Sequence, residues 1–253
     1  MAEATIVVPC FNESRRLPAD RFRDFLAAEK SIRFVLVNDG SRDDTLRALG
    51  EVRKGFEERV EILDLERNRG KAEAVRRGLL HALAASPRYL GFWDADLSTP
   101  LDAVPRLCWV LDGDPRLEMV FGSRVKLLGR RIERHAWRHY LGRVFATAVS
   151  RVLDLPVYDT QCGAKIFRAT PDLRRLLAEP FETRWLLDVE ILARLIALRR
   201  GSDRPQARDV IYEYPLEEWV DAGGSKLRPL DFFGALVGLV RIRNGLRSGK
   251  RVG

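Results

Sequence analysis

The chain reads as an α/β protein built on a mostly parallel sheet with helices on both faces. Short apolar, β-branched runs alternate with helix-like stretches through the first 125 residues, and repeated β-α-β-α order argues for parallel strands with helices across them. The chemically informative side chains fall just after the strand-like runs, at the carboxyl edge where such sheets bind ligands. A length of 253 residues suits one large domain or two small ones with a substantial core.

The elements follow in order. Residues 5–8 form the first strand and lead into Pro9, Asn12 and Glu13. Residues 21–29 are helix-like, and the apolar run 34–37 ends at Asn38 and Asp39. Ser41 to Asp44 resembles a capping box with Asp in the usual Glu place, opening a helix over 43–53. A third strand at 60–63 precedes a helix over 71–85, closed by Ser86-Pro87. The apolar run 89–93 delivers Asp94 and Asp96, and 118–121 is strand-like. Beyond it, a helix is expected over 184–198 and a strand over 210–214. Residues 220–229 read as a loop, because paired glycines lose entropy when ordered.

Charge and composition narrow the classes. The formal charge is +8, from 44 Lys and Arg against 36 Asp and Glu, which points to anionic partners. Cys10, Cys108 and Cys162 are too few and too scattered for a disulfide framework or a zinc site, so a reducing cytoplasm is expected. Residues 1–5 lack the charged and apolar regions of a secretory signal, and no run approaches the roughly 20 apolar residues of a membrane span.

In GFWDADLSTP, two carboxylates follow a strand. Helix capping or solvation explains a bare Asp-x-Asp, but at a ligand edge paired carboxylates suit a hard divalent cation, which takes oxygen ligands and keeps waters. Such a cation can neutralise a diphosphate leaving group. A turn at Ala95 is implied, with Ser98 or Thr99 capping a helix near Pro100. Lys71 opens a helix, where a cation opposes the macrodipole, so a phosphate partner is favoured over solvation.

VVPCFNE (7–13), VNDGSRDDT (37–45), NRGKAEAVRRG (68–78) and DADLS (94–98) resemble the donor-side motifs of family 2 glycosyltransferases with the GT-A fold. FGSR (121–124), DTQCGAKIFR (159–168), ETRWLLDVE (182–190) and GGSKL (223–227) are similar to dolichyl-phosphate β-glucosyltransferases, with dolichyl-phosphate mannose synthases as cousins. The resemblance implies an inverting, metal-dependent transfer of a hexose from a nucleoside diphosphate sugar to a polyprenyl or dolichyl-type phosphate, with UDP-glucose the expected donor. It places Pro9, Asn12 and Glu13 in the nucleotide pocket and Asp39 on the base or ribose. Gly70 and Lys71 would lie near the nucleotide and its phosphates. Asp94 would face ribose and metal, and Asp96 would ligate Mg²⁺ or Mn²⁺. Asn38 departs from the family's usual Asp, and Ser98 from the Gln that mannose synthases give the metal.

Residues 122–143 carry seven Arg or Lys and one acid, Glu133. Arg134 and Arg138, four apart, would share a helix face and with Arg124 offer guanidinium forks to a phosphate. The resemblance carries lipid-phosphate binding to Arg124 and Arg138, and to Arg134 less directly. Lys226 resembles a mobile acceptor-loop lysine. Asp188 would be the base for a hydroxyl acceptor; for an ionised phosphate it would orient groups. The organisation expected is one domain over 1–228, with a nucleotide-sugar half at 1–125 and an acceptor half at 126–228. A basic amphipathic helix over 229–253 would dock on the domain, meet an anionic membrane surface, or do both, placing the protein in the cytoplasm, peripheral to the inner membrane face.

Three rival readings are set against this one. Transfer to a soluble sugar hydroxyl keeps the enzyme and changes the acceptor. A sugar-nucleotide pyrophosphorylase would need a basic glycine-rich loop near the N-terminus, which VPCFNE is not. Nucleic-acid binding lacks an aromatic-basic platform, so no such partner is expected.

Overall fold

The central strands are apolar on both faces, the pattern of a sheet covered on both sides. β1 (Ala4–Cys10) pairs in parallel with β2 (Ile32–Asp39) and with β4 (Tyr89–Trp93), and β2 pairs with β3 (Val60–Leu65). β7 (Ala164–Arg168) runs antiparallel between β4 and β5 (Met119–Ser123), and β8 (Ile211–Pro215) closes the far edge parallel to β5. The seven strands lie in the order β3-β2-β1-β4-β7-β5-β8, and β6 (Arg131–Glu133) pairs with β9 (Glu218–Val220) as a separate ribbon. The computed structural model describes residues 3–134, 136–221 and 229–247, without the side chains of 136–139, 229–233, 236 and 246–247.

Alternation along each strand divides the core in two. Ile6, Val8, Phe34 and Leu36 face a layer that holds α1 (Ala19–Ala28), α2 (Thr45–Arg53) and α4 (Ala103–Gly113). Val7, Val35, Val37 and Phe92 face a layer that holds α3 (Lys71–Leu83), α5 (Ala136–Leu153), α6 (Pro171–Ala178) and α7 (Leu187–Arg199). One-turn α8 (Ala207–Val210) leads into β8. α9 (Pro229–Arg247) lies against α5 and α7 and buries Ala235, Leu239 and Ile242.

Several local expectations change. α2 starts at Thr45, and its N-cap Asp44 makes no side-chain cap bond. Asp43 does that work, since its Oδ1 accepts from the Thr45 N–H at 3.1 Å, while Ser41 Oγ accepts from the Asn12 N–H at 3.0 Å. Neither Ser98 nor Thr99 caps α4, whose N-cap is Asp102; the Thr99 carbonyl accepts the Trp93 indole N–H at 2.8 Å. The helix expected over 184–198 begins at Leu187. Arg134 precedes α5, so it shares no helix face with Arg138, whose side chain lies outside the described residues.

Candidate active site at the carboxyl edge of the sheet

The loop after β1 is sewn to the loop after β2. Asn12, at φ 51°, accepts the Arg42 N–H at 2.9 Å through its side-chain oxygen, and the Glu13 N–H donates to Thr45 Oγ1 at 2.8 Å. Pro9 lies one residue from the end of β1, partly exposed. This holds Pro9, Asn12 and Glu13 at the rim beside Arg16, whose guanidinium reaches Asp96 at 3.2 Å.

Asn38 and Asp64 are neighbours across β2 and β3, and the Asn38 amide donates to Asp64 at 2.7 Å. Asp in place of Asn38 would set two acids side by side, so the amide at this position has a local cause. Asp39 serves its own chain: its carboxylate accepts the Arg69 N–H at 2.8 Å, the Gly70 N–H at 2.9 Å and the Asn68 amide at 3.0 Å. With about four lone-pair directions on a carboxylate, one remains for a base or ribose donor. Burial raises the Asp39 carboxyl, opposed by the Arg69 and Gly70 N–H donors. Gly70 turns at φ 96°, a backbone region that favours glycine, and starts α3 so that Lys71 faces β4.

At the end of β4 the chain turns as the Asp-Ala-Asp spacing requires. The Leu97 N–H returns to the Asp94 carbonyl at 3.2 Å with Leu97 at φ 50°. Asp96 accepts the Ser98 N–H at 3.0 Å, and Lys71 Nζ meets Asp94 Oδ1 at 2.5 Å. Burial raises the Asp94 carboxyl, but Lys71, Lys165 and Arg124 together outweigh it and hold it below its ordinary value. Burial likewise lowers the Lys71 ammonium, and Asp94, Asp188 and Asp96 outweigh that, keeping it charged. The Asp94 N–H donates to the Gly163 carbonyl at 2.9 Å. A Cβ on Gly163 would lie 1.9 Å from Asp94 Oδ2, so only glycine leaves this carboxylate its place.

The donor set fits a hard divalent cation. Among the described residues no group of three or more His, Cys, Asp or Glu encloses a metal. Asp94 and Asp96 instead form a partial set of oxygens at an open rim, suited to an ion that completes its shell from water and phosphate.

Behind this rim lies a closed layer of charge. Lys165, inside the apolar strand β7, is wholly buried. It donates to the Thr160 and Cys162 carbonyls at 3.0 and 2.5 Å and meets Asp188 Oδ1 at 2.6 Å. Burial raises the Asp188 carboxyl against the pull of Lys165 and Lys71. Asp188 is thus an internal partner of a lysine, with 6% of its surface exposed, and is placed to position the 160–163 loop. Burial also pushes the Cys162 thiol up to about 11, as expected of a packing residue.

Arg124 departs from the expected phosphate fork. Its Nε and Nη2 are taken by Asp159 at 2.6 and 2.7 Å, and its guanidinium covers Trp219 at 5.1 Å from the ring centre. Arg134 also stands over Trp219, at 5.8 Å. It shares a small hollow with Arg124, Arg143 and Tyr158, so Arg134, the cation the resemblance assigned less directly, stays among the acceptor candidates. Lys226 lies outside the described residues.

Sequence reasoning missed Arg16 and Lys165. A cation within the buried run AKIF was the available signal for Lys165, because a buried charge requires a partner. Arg16 carried no signal beyond its place three residues after Glu13.

A family model described as Glycosyl transferase family 2 matches residues 5–174. The chain is 33% identical over 246 residues to a dolichyl-phosphate beta-glucosyltransferase of Drosophila melanogaster, covering 90% of this chain and 70% of that one. It is 30% identical over 245 residues to the Saccharomyces cerevisiae protein of the same description, covering 88% and 68%. In fold it is similar to glucosyl-3-phosphoglycerate synthase from Mycobacterium tuberculosis in complex with Mn²⁺, UDP and glucosyl-3-phosphoglycerate. That likeness has a TM-score of 0.67 and 20% identity, over 96% of this chain and 80% of that one.

Proposed function

Since the chain belongs to glycosyl transferase family 2, we propose that it transfers glucose from UDP-glucose to the phosphate of a dolichyl- or other polyprenyl-type lipid. One observation carries the reading: a charged lysine, Lys71, is set against Asp94 beside Asp96 at the ligand edge of the sheet. The names of the relatives support the donor and the acceptor.

Asp94 and Asp96 would hold Mg²⁺ or Mn²⁺, which supplies Lewis-acid neutralisation of the diphosphate. The ammonium of Lys71 stabilises negative charge on the departing nucleotide. Pro9, Asn12, Glu13, Asp39 and Gly70 shape the nucleotide cleft. The acceptor phosphate, already ionised, attacks the anomeric carbon in line and needs no base. The burial of Asp188 against Lys165 suits that route better than a hydroxyl acceptor, which would require a reachable base. Arg134 leads the cations for the lipid phosphate, with Arg124 held by Asp159 behind it and Arg138 assigned from the sequence resemblance.

No helix among the described residues is long and apolar enough to cross a membrane. α9 leaves Val237 and Val240 about half exposed, and α5 exposes Tyr140 and Val144. With Arg241 and Arg243 nearby in sequence, this pair of helices supports peripheral contact with an anionic membrane on its cytoplasmic side. Residues 1–228 would then act as one catalytic domain with α9 as its basic surface helix.

The test supplies UDP-glucose labelled in the sugar, Mn²⁺, and a short-chain polyprenyl phosphate in detergent, beside a panel of sugar hydroxyl acceptors. Label in the lipid phosphate supports the reading. Label only in a hydroxyl acceptor replaces it with the soluble-acceptor enzyme.

A further inference from the structure

A cleft of about 700 Å³ opens at the other end of α7 from the candidate active site, lined by Arg151, Arg200, Arg208 and Arg243 with one acid, Asp154. Asp188 lies in the first turn of α7 and Arg200 is its C-cap. Twelve residues of helix separate them, roughly 18 Å. α8 leads directly into β8, and β8 runs parallel to β5, so Arg208 sits at the sheet edge opposite the one that carries Asp94 and Arg124.

The four arginines come from four separate elements. Helix carbonyls explain two of them at most. Arg151 is in the last turn of α5 and Arg200 caps α7, where a cation complements the helix end. α8 has four residues, too few for a macrodipole of consequence, and Arg243 is followed by a further turn of α9. Among the described residues, Arg151, Arg208 and Arg243 meet no carboxylate within ion-pair distance. Guanidinium groups around one cleft repel one another wherever they lie within the screening length of about 8 Å. A multiply charged oxyanion relieves that repulsion, and planar N–H forks match phosphate oxygens in pairs.

We propose that this cleft is a second phosphate-binding site, remote from the donor site, that takes a phosphate-bearing molecule of small-ligand size. The volume falls in the range of small-molecule sites, and an anionic lipid headgroup or a free polyphosphate offers the same chemistry.

The experiment uses the full chain in EDTA, which removes metal-assisted binding at the donor edge. Inorganic pyrophosphate is titrated by calorimetry, and vesicles of phosphatidylglycerol in phosphatidylcholine are titrated by co-sedimentation. The variant combines Arg151→Gln, Arg208→Gln and Arg243→Gln. A control with the same charge change combines Arg47→Gln, Arg53→Gln and Arg116→Gln. A second control, Lys71→Ala, blanks the donor-edge cation.

The cleft variant should lose on the order of 10²-fold in affinity, while both controls keep it and all variants melt like the wild type. Loss seen with pyrophosphate makes the ligand a free polyphosphate. Loss seen only with vesicles makes it a lipid headgroup. Binding of neither probe by the wild type overturns the proposal, as does an equal loss in the charge-matched control or unchanged binding in the cleft variant.

Discussion

Two sets of ion pairs lie close enough that the buried cations Lys165 and Arg124 act on Asp94, and the sets differ in their access to water. At the rim, the side chains of Lys71 and Asp94 are 35% and 38% exposed, and those of Arg16 and Asp96 are 26% each. Behind it, Lys165 and Asp188 are at 0% and 8%, and Arg124 and Asp159 at 12% and 8%. Pairs in contact with water are worth little to stability and can be exchanged for a substrate's charges. Pairs sealed from water cannot be broken without stranding a charge. Acids and bases of the same types thus serve two ends: under the proposed function the outer pairs would give way to metal and diphosphate, and the inner pairs hold the backbone on which the outer ones stand.

The largest effect should come from breaking the inner set. Lys165→Met leaves Asp188 buried without its cation, so denaturant unfolding should show a loss of about 3–5 kcal/mol. Arg16→Ala, at the rim, should change stability by no more than about 1 kcal/mol. Equal losses would erase the distinction between the sets.

A second variant tests how the sets are joined. Gly163→Ala pushes a Cβ onto Asp94, and a displacement of about 1 Å at a reacting centre costs on the order of 10²-fold in rate. Transfer should fall by that much while the nucleotide-free protein still folds. A fully active variant would show that Asp94 does not need its present position.

Acid separates the sets further. Burial raises the Asp159 carboxyl, yet Arg124, Arg134 and Lys165 outweigh it and hold the group below its ordinary 3.8. Its pairing therefore stabilises the fold above about pH 4 and is lost as pH falls through the depressed value. Melting temperature followed from pH 7 downward should decline steeply below pH 4 in the wild type. Asp159→Asn should start lower and decline less. Parallel curves would remove Asp159 from the account.

The smallest effect calibrates the others. Thr170 caps α6 by accepting the Leu173 N–H at 3.2 Å, and Thr170→Ala should cost about 1 kcal/mol. If it costs as much as Lys165→Met, burial of the ion pair adds nothing of its own.

The rim was readable from sequence because each of its groups sits at or just past a strand's carboxyl end: Pro9 near the end of β1 and Asn12 after it, Asp39 at the end of β2, and Asp94 and Asp96 after β4. The β-α-β order conveys which edge they share. The inner layer was less legible. β7 enters between β4 and β5 by pairing with strands 75 and 45 residues earlier, counted from their first residues, and nothing local announces such a partner. Without it, Lys165 reads as a stray charge and Asp188 as a candidate base. Asp159, quoted only as the first residue of a motif, gains its role from a partner 35 residues earlier, Arg124. The Ser41 to Asp44 cap failed for a related reason, since the Ser41 hydroxyl is taken by Asn12, 29 residues away in the chain.

The central claim is that Asp94 and Asp96 hold a divalent ion which in turn holds the nucleotide. The direct measurement is calorimetric titration of UDP with and without Mn²⁺, in the wild type and in Asp96→Ala. Mn²⁺ should tighten UDP binding at least about tenfold in the wild type, a gain of about 1.4 kcal/mol. In Asp96→Ala that gain should vanish while the melting temperature of the nucleotide-free protein stays put. A variant that keeps the full Mn²⁺ dependence would contradict the account.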